Sequence, residues 1–275
     1  MNTIIEYEQI IRPGVFIALF VLLGIAEFLA PLAKRRESRL HQWFTNLAMV
    51  TIDNFILKLL FPLLAVGVAS YARENGIGLF NIISLPEILT ITLSLLMLDV
   101  LIYGQHVMMH KIPMLWRLHR MHHSELGLDV TSAIRFHPIE IIISMLIKML
   151  FVLIIGIPVL AVIIFEVILN GLALFNHSNI KLPTPLEKIL RIVFITPEIH
   201  WIHHSEVVAE TNSNYGFNLC VWDKVFDTYI DKPTLTYEQM RQGLTEFGFD
   251  KPLNLIELLV SPFKDDPQPK IKNKT

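Results

Sequence analysis

Three histidines fall within five residues in RLHRMHHSELG, residues 117–127, and the same spacing returns in HWIHH, residues 200–204. His119, His122 and His123 stand at i, i+3 and i+4, as do His200, His203 and His204, and His106 and His110 stand at i and i+4. On a helix such spacings place side chains on neighbouring positions of one face. One turn can then offer several imidazole nitrogens to a single point. Ten of the eleven histidines lie between residues 106 and 204. A lone histidine such as His41 reads as an interfacial side chain with an apolar body and a polar tip. The repeated pattern reads instead as metal ligation, and neutral imidazole suits Fe, Zn, Cu and Ni. With four to six ligands per ion, about ten histidines suggest two metals.

The elements that must position these ligands are oily. The chain of 275 residues is 53% hydrophobic and only 17% charged, against roughly 25% charged in ordinary soluble domains. A bilayer is the expected surrounding. Apolar stretches run from about residue 13 to 32, 43 to 71 and 88 to 103. Residues 139–176 suit two antiparallel helices turning at Gly156–Pro158. The expected fold is all-α: an integral membrane bundle of about four to five segments, with a helical cap that carries a His-rich dimetal site. Residues 1–103 would form the N-terminal membrane helices, 88–230 the catalytic domain, and 231–275 an interfacial segment and tail. Within this last part, residues 253–260 are expected on the membrane surface and the chain from Pro262 loose. The cationic run Lys34–Arg39 shares its side of the membrane with the histidines, which makes that side cytoplasmic by the positive-inside rule. The net charge of −2 provides no basic field for nucleic acid. Cys220, the single cysteine, excludes an intrachain disulfide and a thiolate cluster.

Several other residues bear on chemistry. Asp99 lies seven residues before His106 on the same helix face; it either accepts a proton from a ligand histidine or is a polar group at a helix end. Glu198 and Glu125 are candidates for the same work. Asn212, Asn214 and Tyr215 either hydrogen-bond ligands or form a turn. Lys148 and Glu166 are each nine residues from Ile157. A hairpin sets them at equal depth, to pair within the membrane or to leave one facing a wet groove.

The three histidine groups resemble the histidine boxes of the fatty acid hydroxylase / sterol desaturase superfamily. RFHPIE (135–140), FNHSN (175–179), NYGFN (214–218) and WDKVFDTY (222–229) are similar to stretches of its members. The resemblance covers roughly residues 88–230, and the chain from Gly243 is also similar to bacterial members. It implies a membrane di-iron oxygenase of hydroxylase or desaturase type that uses O2 on a lipid C–H bond, of a sterol, fatty acyl or alkyl-ether lipid, in the bacterial inner membrane; hydroxylation, desaturation and ether cleavage share these boxes. It also implies two iron ions on His106, His110, His119, His122, His123, His177, His200, His203 and His204, with His137 as a further ligand where Ala173 replaces an extra histidine of some members. Asp99, Glu198, Asn214 and Tyr215 are then the candidate catalytic residues. Zinc is expected to compete on purification, since it stands above Fe2+ in affinity order. Asp227 stands where members usually have glycine. No flavin, haem or iron–sulfur signature is visible, so electrons would come from a separate donor. A membrane metal transporter and a haem electron carrier are the alternative readings of the same histidines.

Overall fold

The computed structural model describes residues 7–264. Among them every regular element is helical, and the only β features are isolated bridges. Five stretches are long and apolar enough to cross a membrane. The first is α1 (Glu8–Leu29), which starts before Pro13 rather than at it. The second is broken. Helix α2 (Arg39–Leu60) stops before Pro62, with Phe61 extended at φ −121° and ψ 102°, because proline disfavours the helical region for its predecessor. The chain resumes as α3 (Ala65–Glu74) and a single turn, α4 (Leu79–Ile82). Helix α5 (Glu87–Lys111) runs two turns past Tyr103, so His106 and His110 lie on the spanning helix itself.

The hairpin forms where Gly and Pro indicate it. Helices α7 (Pro138–Ile155) and α8 (Val159–His177) are joined at Gly156, whose φ of 72° is left-handed and suits glycine. A Cβ on Gly78 would meet the Gly156 nitrogen at 2.3 Å, so the 72–87 connection and the hairpin turn share one end of the bundle. Helix α8 is central, touching α1, α3, α5 and the cap. Ala65, Ala69, Leu98, Val152 and Phe165 pack with it into the main apolar core.

The cap occupies the other end. It comprises α6 (Pro113–His119), short 3-10 turns at His122–Ser124 and Val130–Ile134, then α9 (Thr184–Leu190), α10 (Pro197–His203), α11 (Val208–Thr211) and α12 (Val221–Val225). Helix α13 (Leu255–Val260) buries Leu258 against Met49 and Met121, so its inner face covers protein while Ile256 stays exposed. Residues 262–264 are tied down: Arg117 Nε donates to the Pro262 carbonyl at 2.7 Å. Of the tail expected to be loose, residues 265–275 lie outside the described residues.

Candidate metal centre

Nine histidines gather where the ends of α5 and α8 meet the cap, in two adjoining sets. His106, His110, His119, His123 and His203 form one; His122, His177, His200 and His204 form the other. In the first, His106 Nε2 lies 3.1 Å from His119 Nε2 and 3.1 Å from His203 Nε2, and His123 Nε2 lies 3.3 Å from His119 Nε2. In the second, His177 Nε2 lies 3.1 Å from His122 Nε2 and 3.0 Å from His200 Nε2. All nine are buried, His110 being the most exposed at 9%.

These contacts are not hydrogen bonds between imidazoles. His106 Nδ1 faces the Tyr215 carbonyl at 2.7 Å and His203 Nδ1 the Ser213 carbonyl at 2.6 Å. His122 Nδ1 faces the Arg135 carbonyl at 3.1 Å and His177 Nδ1 that of Ala173 at 2.8 Å. A carbonyl only accepts, so each of these Nδ1 atoms carries the proton and each Nε2 presents a lone pair. Lone pairs therefore face one another at about 3 Å, a repulsive arrangement that a cation between them relieves. Two nitrogens each about 2.1 Å from one metal, at angles of 90–109°, stand about 3.0–3.4 Å apart. The observed separations fall within that range, so the donor set fits a pair of metal ions with nitrogen ligands.

Electrostatics keeps the ligands in the binding form. Burial and the neighbouring imidazoles hold His122, His123, His200 and His204 well below their ordinary pKa, and burial takes His203 down to about 3. Metals bind the neutral ring. His110 Nδ1 and Nε2, His123 Nδ1, His200 Nδ1 and His204 Nε2 are buried with no protein partner, another sign that the site takes a ligand the chain does not supply.

The supports come from several directions. Glu140 Oε1 accepts from His119 Nδ1 at 2.7 Å. The segment carrying His119–His123 is tied to the bundle by Arg135, which donates to Ser124 Oγ at 2.8 Å, Asn46 Oδ1 at 3.1 Å and the Met121 carbonyl at 3.2 Å. Glu125 accepts from Asn46 Nδ2 at 2.7 Å, in this network rather than on a ligand. Asp129 anchors the same loop to Arg35 and Trp43. On the opposite side, Asp223 accepts from the backbone N–H groups of Tyr215 and Gly216, both at 2.8 Å. Asn214 is left-handed, φ 48°, and this turn sends the carbonyls of Ser213 and Tyr215 to His203 and His106. A Cβ on Gly216 would lie 2.7 Å from the Leu219 carbonyl, so glycine is required there. Asp227 is likewise left-handed at φ 59°, which explains why a glycine suits that position.

The candidates from the sequence divide accordingly. The nine histidines come together. His137 does not join them: its Nδ1 accepts from the Ile139 N–H at 3.2 Å as a helix cap and its Nε2 faces the Leu259 carbonyl at 3.2 Å. Asp99 meets no histidine; it accepts from Trp222 Nε1 at 2.7 Å and Asn218 Nδ2 at 2.8 Å, pinning the 215–222 loop to α5. Glu198 pairs with Arg191 at 3.3 Å. The Asn214 side chain bonds the carbonyls of Ile199 and Ile230. Tyr215 contributes its carbonyl, and its ring lies against His106, His110 and His203. Glu140 is the support that the sequence reading passed over, although it sits inside RFHPIE at the first turn of α7.

Two cavities reach the five-histidine set. One, of about 220 Å³, runs from His106 and His119 along α7 and α8 and is lined mainly by apolar side chains. The other, also about 220 Å³, approaches His110 past Trp116, Glu206 and Thr245 from the cap.

The sequence profile of the fatty acid hydroxylase family matches residues 91–228. The chain is 27% identical over 226 residues to an ornithine lipid hydroxylase of Rhizobium tropici, covering 80% of this chain and 67% of that protein. It is 30% identical over 167 residues to an alkylglycerol monooxygenase of Xenopus tropicalis, covering 60% of this chain and 34% of that one. It is 28% identical over 157 residues to the human alkylglycerol monooxygenase, covering 56% and 32%. The chain thus spans about a third of the length of these two monooxygenases. No solved structure matches it.

Proposed function

The chain belongs to the fatty acid hydroxylase family, and from that premise we propose that it is a di-iron monooxygenase that hydroxylates a C–H bond of a membrane lipid with O2. The observation that carries the reading is the set of inward-facing Nε2 lone pairs 3.0–3.3 Å apart in two adjoining groups. Both named kinds of relative are lipid hydroxylases or monooxygenases. Bound iron would supply O2 activation, chemistry that belongs to the cofactor.

The chain's own residues perform the remaining tasks. His106, His110, His119, His123 and His203 hold one ion, and His122, His177, His200 and His204 the other. Glu140 fixes the His119 tautomer, and the carbonyls of Ser213 and Tyr215 fix His203 and His106, so each ring keeps its Nε2 free for metal. The apolar cavity beside α7 and α8 admits a lipid chain and brings it to the five-histidine side. The cap covers that side and limits water. The cavity past Trp116 gives an aqueous route for protons and for the water formed from the second oxygen atom. Residues 88–230 form the catalytic domain on this reading, and residues 255–263 pack against it and α2 through Leu258 and Pro262. Electrons come from a separate donor.

The alternative readings gain nothing from the geometry. A transport site is expected near mid-membrane, whereas His106, His110 and His177 stand at helix ends. Imidazole nitrogens 3.0–3.3 Å apart leave no room for a porphyrin. We place the histidine end in the cytoplasm of a bacterial inner membrane because Lys34, Arg35 and Arg36 lie beside Gly127, Asn179 and Trp201 of the cap. A reporter inserted at Gly76 then reads external; a cytoplasmic reading reverses the orientation. The activity is tested by comparing lipids of cells that make the wild type or His123→Ala. A lipid gaining one oxygen atom only with the wild type supports hydroxylation, and identical lipid profiles count against it.

A further inference from the structure

Helix α7 is apolar for most of its length, yet Glu140, Ser144 and Lys148 recur at i, i+4 and i+8, and all three line the cavity that leads from the metal centre. At 1.5 Å per residue they are spaced about 6 Å apart along the wall. Glu140 stands at the metal end, on His119. Lys148 stands near mid-helix; its Nζ donates to Glu166 Oε1 at 2.7 Å, which takes one of an ammonium's three donors. Opposite Ser144 lies Gln105, whose Nε2 donates to Ser144 Oγ. Gln105 is 8% exposed, and its Oε1 is buried with no partner. An amide oxygen left unbonded in an apolar cavity costs free energy unless the cavity's occupant supplies a donor.

We propose that this polar strip selects a lipid carrying a hydrogen-bond donor, an amide N–H or a hydroxyl, opposite Gln105 Oε1 and an acceptor opposite Lys148, in place of a plain hydrocarbon or simple ester chain. The strip deepens the lipid-oxygenase reading and rests on it for the choice of ligand. A buried acceptor rejects a molecule that leaves it unbonded more strongly than an apolar wall rejects a misfit. Gln105 therefore determines specificity, while Lys148 holds a carbonyl or hydroxyl oxygen one turn deeper.

The test compares N-methylhexadecanamide with methyl hexadecanoate, matched in chain length and differing in N–H against O. Binding to the full-length protein in detergent micelles is measured by titration calorimetry, without turnover. The amide is expected to bind about tenfold more tightly, and Gln105→Met is expected to bring the two to equal affinity. Equal affinity in the wild type overturns the proposal, as does an amide preference that survives Gln105→Met. The wild-type comparison needs no variant to fold. The two readings fail separately: amide-selective binding with no oxygenated product from any lipid counts against the oxygenase reading alone. Equal binding and hydroxylation of both lipids counts against the strip alone.

Discussion

His122 and His123 are consecutive in the chain and fall in different histidine sets: His122 Nε2 faces His177 at 3.1 Å, while His123 Nε2 faces His119 at 3.3 Å. The second triplet divides in the opposite sense, with His203 in the first set and His200 and His204 in the second. A helix turns 100° per residue, so i and i+4 stay nearly aligned while i+3 falls on the other flank. The triplets thus divide between the two histidine sets instead of pointing at one.

This division predicts selective metal loss. His122→Ala leaves three imidazoles in the second set and the first set whole, so iron per chain is expected to fall from about two to about one. Elemental analysis of purified protein measures it. Loss of both ions, or of neither, would show that the sets are not separate sites.

Glu140→Leu removes the acceptor for His119 Nδ1–H. Metal affinity or activity is expected to fall about 10- to 100-fold, with helix content by circular dichroism unchanged. Glu140→Gln keeps an oxygen at that position and should lose less. Equal losses in the two variants would show that hydrogen bonding to His119 is not what Glu140 contributes.

The pair expected at matching depth in the hairpin forms: Lys148 and Glu166 are 2.7 Å apart. Arg12 joins them on Glu166 and also meets Glu8. Glu166 therefore serves two cations, and Glu166→Gln is expected to destabilise the protein more than Lys148→Met, by up to about 3 kcal/mol for a charge left unpaired in the membrane. Thermal unfolding in detergent ranks the two. A Lys148→Met variant as damaged as Glu166→Gln would mean that Arg12 gives Glu166 little compensation.

The spans and the nine clustered histidines were legible because both follow side-chain identity: long apolar runs for one, imidazole spacing for the other. The break at Phe61–Pro62 was legible in principle from Pro62 and was passed over within a continuous apolar run. What holds the ligands was less visible. His106 and His203 are oriented by backbone carbonyls of Tyr215 and Ser213, which any residue provides, and the informative sign is the left-handed Asn214 between them. Asp99 shares the helix face of His106 as its spacing suggests, but Trp222 and Asn218 reach its carboxylate. Only the fold brings a loop 119 residues away in sequence against α5. The resemblance brings His137 into the ligand set as a substitute for the histidine that Ala173 replaces, whereas its position before Pro138 makes it a helix cap.

The proposed reaction carries an oxygen atom from O2 into a lipid. Purified protein loaded with iron, given a reductant and a candidate lipid under 18O2, tests it by mass spectrometry of the product. A hydroxylated lipid bearing one 18O atom is expected, absent when a chelator has stripped the iron. A product whose oxygen comes from water, or one that forms equally well without iron, would contradict it.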